Sequence, residues 1–167
     1  MPIADLLLPE FDIEIATTRR VLERVPDDHA EWKPHEKSFS MAHLAQLVSM
    51  MPSWVSLMVS QSEMDIAPKE GAKSAYSDEQ TAKLLADFDR NAAAAREAIA
   101  GTTDEALNEP WTLKAGGRVV NTGTRYLMIR TLLLNHLVHH RAQLGVYLRL
   151  VDVPVPSMYG PTADEKQ

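Results

Sequence analysis

The chain has no cysteine. Disulfides, thiolate metal sites and a cysteine nucleophile are therefore excluded. A basic face is also missing: 17 Lys and Arg stand against 23 Asp and Glu, a net charge of -6. A nucleic-acid backbone calls for the opposite balance, so no nucleic-acid partner is expected. The opening "MPIADLLLPEFDIEIA" has early acids and no basic n-region, unlike a signal peptide. The uncharged stretch "SFSMAHLAQLVSMMPSWVSLMVSQS" carries a histidine, a glutamine, a proline and many serines. A spanning helix should be more uniformly apolar. It reads as a buried helix of a cytoplasmic protein.

At 167 residues, with 45% hydrophobic and 24% charged, the chain is expected to form one domain over 1–167 with a sizeable core. Four segments have helical periodicity. The first runs from about Ala4 to Val25, with Leu7, Phe11, Thr18, Val21, Leu22 and Val25 inward, and ends at Pro26. The second starts after Ser40, a good N-cap, and places His43, Leu47, Met50, Trp54 and Leu57 on one stripe. Pro52 should kink it. A long polar connection, "EMDIAPKEGAKSAYS", follows. The third opens on a Ser77–Gln80 capping box, turns Leu85, Phe88, Ala92, Ala95 and Ile99 inward, and stops at Gly101. "WTLKAGGRVVN" predicts a small β-hairpin. The fourth helix spans about Thr124 to Val151, with Tyr126, Ile129, Leu133, His136, His140, Gln143, Leu144 and Tyr147 on a broad inner face. The expected fold is all-α: a four-helix bundle with a long connection after its second helix and a hairpin before its last.

Three of six histidines fall within "HLVHH" in that last helix. A helical residue advances by about 100°, so His136 and His140 project from one face, one turn apart. Chance predicts roughly 0.2 such pairs per chain of this composition, so the spacing alone is weak. Their inward stripe makes it stronger, because a buried imidazole without a partner costs about 1–3 kcal/mol. His43, on its own helix's inner stripe and within its first turn, supplies a third arm. The helix N-terminus there disfavours imidazolium and keeps the ring in its metal-binding form. Three neutral histidines leave coordination positions open, the pattern of a catalytic site.

Each of these residues also has an ordinary reading. A lone His43 is more often hydrogen-bonded to backbone, and the pair alone could be structural. His139 lies about 60° off the pair's line, as a flank residue or a support for the ligands. His29 and His35 fall in a charged loop and should face solvent. Glu14 sits on the first helix's inner stripe as a candidate ligand or base, though a helix-edge carboxylate in water is the commoner case. Met41, Met50, Met51 and Met58 read as core filler. No separate general acid or base stands out. HExxH, Glu-x-x-His, GxGxxG and Walker patterns are absent.

The segments "EWKPHEKSFSMAHLAQLV", "NHLVHHRAQLGVYLRL" and "VPVPSMYGP" resemble the DinB-like superfamily of four-helix-bundle metal-dependent enzymes. The resemblance covers most of the chain. In that family an early histidine of the second helix joins two from H-x-x-x-H-R-G-Q-L to bind a divalent metal. This implies His43, His136 and His140 as ligands here, with Ala142 replacing the family's usual glycine. It also implies a homodimer and a small-molecule substrate, since relatives include transferases of low-molecular-weight thiols. Two functions are expected from different classes. One is a metal-dependent enzyme using zinc, nickel or iron, either a thiol S-transferase or a hydrolase. The other is a non-catalytic, stress-related binding module whose metal is structural or opportunistic.

Overall fold

Pro2 opens the first helix, α1 (Ile3–Leu22), in an extended conformation that leads into helical residues. The computed structural model describes residues 1–67 and 81–166. α1 buries Leu7, Phe11, Thr18, Val21 and Leu22, the face expected from its period, and Glu14 with them. A single 3-10 turn at Asp27–His29 and a loop lead to α2 (Met41–Met50). Ser40 caps α2, its hydroxyl accepting from the His43 N–H at 3.3 Å. Pro52 cannot donate to the carbonyl a turn behind it, and the chain bends by 42° there before α3 (Ser53–Ser60). No single described helix is long and apolar enough to cross a membrane; the bent α2–α3 pair passes on length and composition alone. Much of that pair is buried in this fold.

The stripe expected on α2 and α3 is rotated from the observed one. Leu44, Val48, Met51, Val55 and Met58 face the core at 0–1% exposure. Met50, Trp54 and Leu57 lie half-buried beside them. The segment is apolar on nearly all sides, so its period marks a face only loosely. α4 (Thr81–Ala100) shows the same slip at one position: Leu84, not Leu85, joins Phe88, Ala92, Ala95 and Ile99 inside. The small Ala92 and Ala95 lie on the face that packs toward the other helices. The expected Ser77–Gln80 capping box lies outside the described residues.

A short helix, α5 (Asp104–Asn108), precedes the hairpin of β2 (Pro110–Ala115) and β3 (Arg118–Thr124). Gly116 and Gly117 turn it at φ +60° and +77°, the left-handed pair that a two-residue hairpin loop demands. The sequence does not announce a third strand. β1 (Glu63–Asp65) pairs parallel with β2, Met64 opposite Leu113. Asp65 then accepts from the N–H groups of Gly116 and Gly117 at 2.9 and 2.7 Å, so β1 also braces the turn.

The last helical arm is continuous but not uniform. Thr124 caps α6 (Arg125–Met128), accepting from the Leu127 N–H at 3.2 Å. A π-helical stretch follows over Ile129–Asn135, and then α7 (His136–Leu150). The π stretch changes the angular advance per residue, so one α-period cannot fit both ends. Tyr126, expected inside, is 38% exposed, and Arg125 is buried instead. Arg125 donates to the Met58 and Ala106 carbonyls at 2.9 and 3.0 Å, joining the ends of α3 and α5. The four helical arms α1, α2–α3, α4 and α6–α7 form the bundle, with the three-stranded sheet at the α3 end.

Candidate metal centre

α7 begins at His136, so His136 and His140 stand one regular turn apart. Their Nε2 atoms approach to 2.8 Å, with ring centroids 4.5 Å apart. The second nitrogen of His140 is already engaged: its Nδ1 lies 2.8 Å from the Gln143 Oε1. With the His140 Nδ1–H donating to Gln143, the His140 Nε2 turns its lone pair toward the His136 Nε2. A lone pair at that separation takes either the N–H of its neutral neighbour or a cation.

A further proton, which would charge the pair, is disfavoured. Burial lowers the pKa of His136, and the neighbouring His140 lowers it further. Burial likewise lowers His140, partly opposed by its Gln143 hydrogen bond. Neutral, converging imidazoles, one of them with its outer nitrogen oriented by an acceptor, are the donor set that a divalent metal takes. Two such nitrogens on one tetrahedral ion, at bonds of about 2.0–2.1 Å, stand about 3.3 Å apart. Opening the observed 2.8 Å contact to that span takes ring shifts of about half an ångström. The pair fits a metal in both chemistry and scale.

His43 occupies a different setting. It is half-buried on α2 and stacks on Phe39, centroids 4.1 Å apart and planes at 9°. Burial lowers its pKa, so it too favours the neutral form. Among the described residues, no group of three or more His, Cys, Asp and Glu side chains closes around one point. The structure thus brings His136 and His140 together and leaves His43 outside their immediate contact. His139 is exposed, its ring 4.9 Å from that of His140. His35 is exposed, while His29 is partly covered and sits 2.8 Å from Asp28.

Glu14 departs most from expectation. It is not a solvated edge carboxylate: it is 7% exposed and ion-paired to Arg141 at 2.7 Å. Arg141, 1% exposed, also donates to the Glu14 carbonyl and the Thr18 hydroxyl, each at 3.1 Å. Tyr159 from the C-terminal tail donates to the Glu14 carboxylate at 2.7 Å and accepts from Arg141 at 2.7 Å. Glu14 is therefore committed to a charge network that locks α7 against α1. Because Arg141 adjoins His140, this lock fixes the rotation of α7 and with it the direction of the histidines. Glu14 on an inward stripe was the available signal, since a charge turned inward occurs paired.

The histidine pair separates two hollows of opposite character. Beside His136, Trp54, Met58, Met64, Ile66, Leu113 and Leu132 enclose about 90 Å³; the Trp54 and His136 ring centroids are 5.9 Å apart. Beside His140, an open cleft of about 200 Å³ is lined by Lys37, Ser38, Phe39, Gln143 and Tyr147. The Tyr147 hydroxyl donates to the Phe39 carbonyl at 3.2 Å, holding that wall in place.

Comparison with known proteins agrees with this architecture. A search of curated proteins finds no match. A DinB-like protein from Bacillus cereus superposes with a TM-score of 0.72 at 18% identity, over 95% of this chain and 98% of its own. The DinB-like protein YjoA from Bacillus subtilis gives 0.68 at 17% identity, over 92% and 97%. At such identities these likenesses establish the fold. The profile of the DinB family matches residues 3–167, and the chain therefore belongs to the DinB family.

Proposed function

We propose that this protein is a metal-dependent enzyme in which His43, His136 and His140 hold a divalent cation, zinc, nickel or iron, beside a small-molecule substrate. The observation that carries the reading is the convergence of two ring nitrogens at 2.8 Å, with Gln143 engaging the outer nitrogen of His140. His43 is the third donor by its neutral ring and its place in the first turn of α2. A divalent cation there supplies Lewis acidity that lowers the pKa of a thiol or a water. That supports two reactions, transfer of a low-molecular-weight thiol or hydrolysis. The chain's own groups orient the imidazoles, keep water from the His136 side through the Trp54 wall, and offer Lys37 to an anionic group on the His140 side. A cytoplasmic homodimer is the proposed working form.

Zinc added to metal-free protein is expected to raise its melting temperature, by an amount equivalent to about 2.7 kcal/mol at a hundredfold excess over Kd. His136→Ala should abolish the effect, and His43→Ala should weaken it. Chelator-sensitive turnover of a chromogenic electrophile with added thiol tests the activity. The separation of His43 from the pair favours one other reading, a non-catalytic module with an opportunistic metal. Zinc-dependent melting with no chelator-sensitive turnover would select it.

A further inference from the structure

The hollow beside His136 has a composition that the histidine pair does not require. Trp54 and Met58 come from α3, Met64 from β1, Leu113 from β2 and Leu132 from the π stretch. Four separate elements thus contribute apolar side chains to one small space that opens on an imidazole. The strand pairing is part of its construction: Met64 and Leu113 are register partners, so both walls depend on β1 joining the sheet. Among the described residues its lining is apolar but for the His136 ring and the indole N–H of Trp54.

We infer that this cavity is the subsite for a compact, branched aliphatic arm of the substrate, whose reacting end lies at the His136–His140 pair. The inference rests on the reading of that pair as the reactive centre and adds the class of substrate. Size selects the arm: about 90 Å³ is well below the ~150 Å³ apolar void that takes up benzene. A branched aliphatic group of about four carbons suits it better than an aromatic ring. Character selects the orientation. Burying a charge or an unpaired hydroxyl among methionine, leucine and tryptophan is unfavourable, whereas Lys37, Ser38 and Gln143 receive polar groups on the opposite side of the pair.

Xenon tests the cavity without any metal. With methyl-labelled methionine in the full chain, xenon pressure is expected to shift the Met58 and Met64 signals and spare Met41, at the far end of α2. Leu132→Trp fills the cavity from the helix side and Met64→Trp fills it from β1; either should remove the shifts. Even shifts across all methionines, or none, would overturn the subsite. With zinc added, isovalerohydroxamate, which joins a chelating head to an isobutyl arm, should bind about tenfold more tightly than acetohydroxamate. Phenylacetohydroxamate should gain less, and Leu132→Trp should erase the isobutyl advantage. Equal affinities for all three would overturn the proposal. A zinc titration of the His136 and His140 ring signals separates the two ideas. Zinc uptake without a xenon response sinks the cavity alone, and a xenon response without zinc uptake supports the cavity while sinking the metal reading.

Discussion

Glu14 and Arg141 are close to fully buried, at 7% and 1% exposure, and each is the other's countercharge. Removing one leaves the other uncompensated, which costs about 3–5 kcal/mol in a buried pair. Glu14→Ala is accordingly expected to destabilise by that amount in urea unfolding. Glu14→Gln, which keeps an acceptor for Tyr159, should cost less. A loss below about 1 kcal/mol for the alanine variant would contradict the burial of the pair. The histidines give a second expectation at this scale. His43, His136 and His140 all have pKa values lowered by burial. Above the unfolded value, near 6.5, both states are neutral and these groups contribute nothing. As pH falls below it, the unfolded chain takes up protons first, so stability declines with falling pH. Melting of the metal-free protein should therefore weaken below about pH 6.5, and His140→Asn should flatten that slope. Sequence reading found the facing pair because i, i+4 spacing is local. It misplaced Glu14 because its partners, Arg141 and Tyr159, lie 127 and 145 positions away.

Helices and strands were legible where a single local rule governs them. Ser40 has no competitor as the cap of α2, and Ser40→Ala should cost about 1 kcal/mol by orphaning the His43 N–H; thermal unfolding measures it. Pro52 announces its bend, and Gly116–Gly117 announces its turn. The inner faces of α2, α3 and α4 were blurred for another reason. Where Leu84 and Leu85, or Met50 and Met51, stand side by side, either can be turned inward, and the neighbouring elements decide. β1 was invisible because three residues make a strand only when β2 lies alongside. Parallel pairing is non-local and leaves no alternation to read over so short a run.

Across the whole molecule the tail is the fastener. Arg24 meets Glu165 at 2.8 Å, and Arg20 pairs with it as well while donating to the Ser157 carbonyl at 3.0 Å. Asp164 pairs with Arg149 and accepts from the Val155 N–H at 2.9 Å. These bonds span α1, α7 and the C-terminus. Ending the chain after Pro156 should therefore cost about 1–3 kcal/mol in thermal unfolding, since the buried Arg141 loses the Tyr159 hydroxyl and keeps Glu14. A truncated chain that melts with the intact one would show the clamp to be ornamental. The bundle itself was readable from four periodic segments. The prolines of "VPVPSMYGPTADEKQ" mark the closing tail as extended and laid over the bundle, but its ion pairs were not readable, because irregular backbone carries no period.

The π stretch from Ile129 to Asn135 sets a rule about chain length. Such stretches arise when a helix accommodates a surplus residue. Deleting one residue between those positions would let the arm run as ordinary α-helix with its far end still in place, whereas adding one would turn everything beyond it by about 100°. With the added residue Arg141 would leave Glu14, and both imidazoles would swing together away from their present walls. This window should accept substitutions, and the loss of one residue, far more readily than a further insertion.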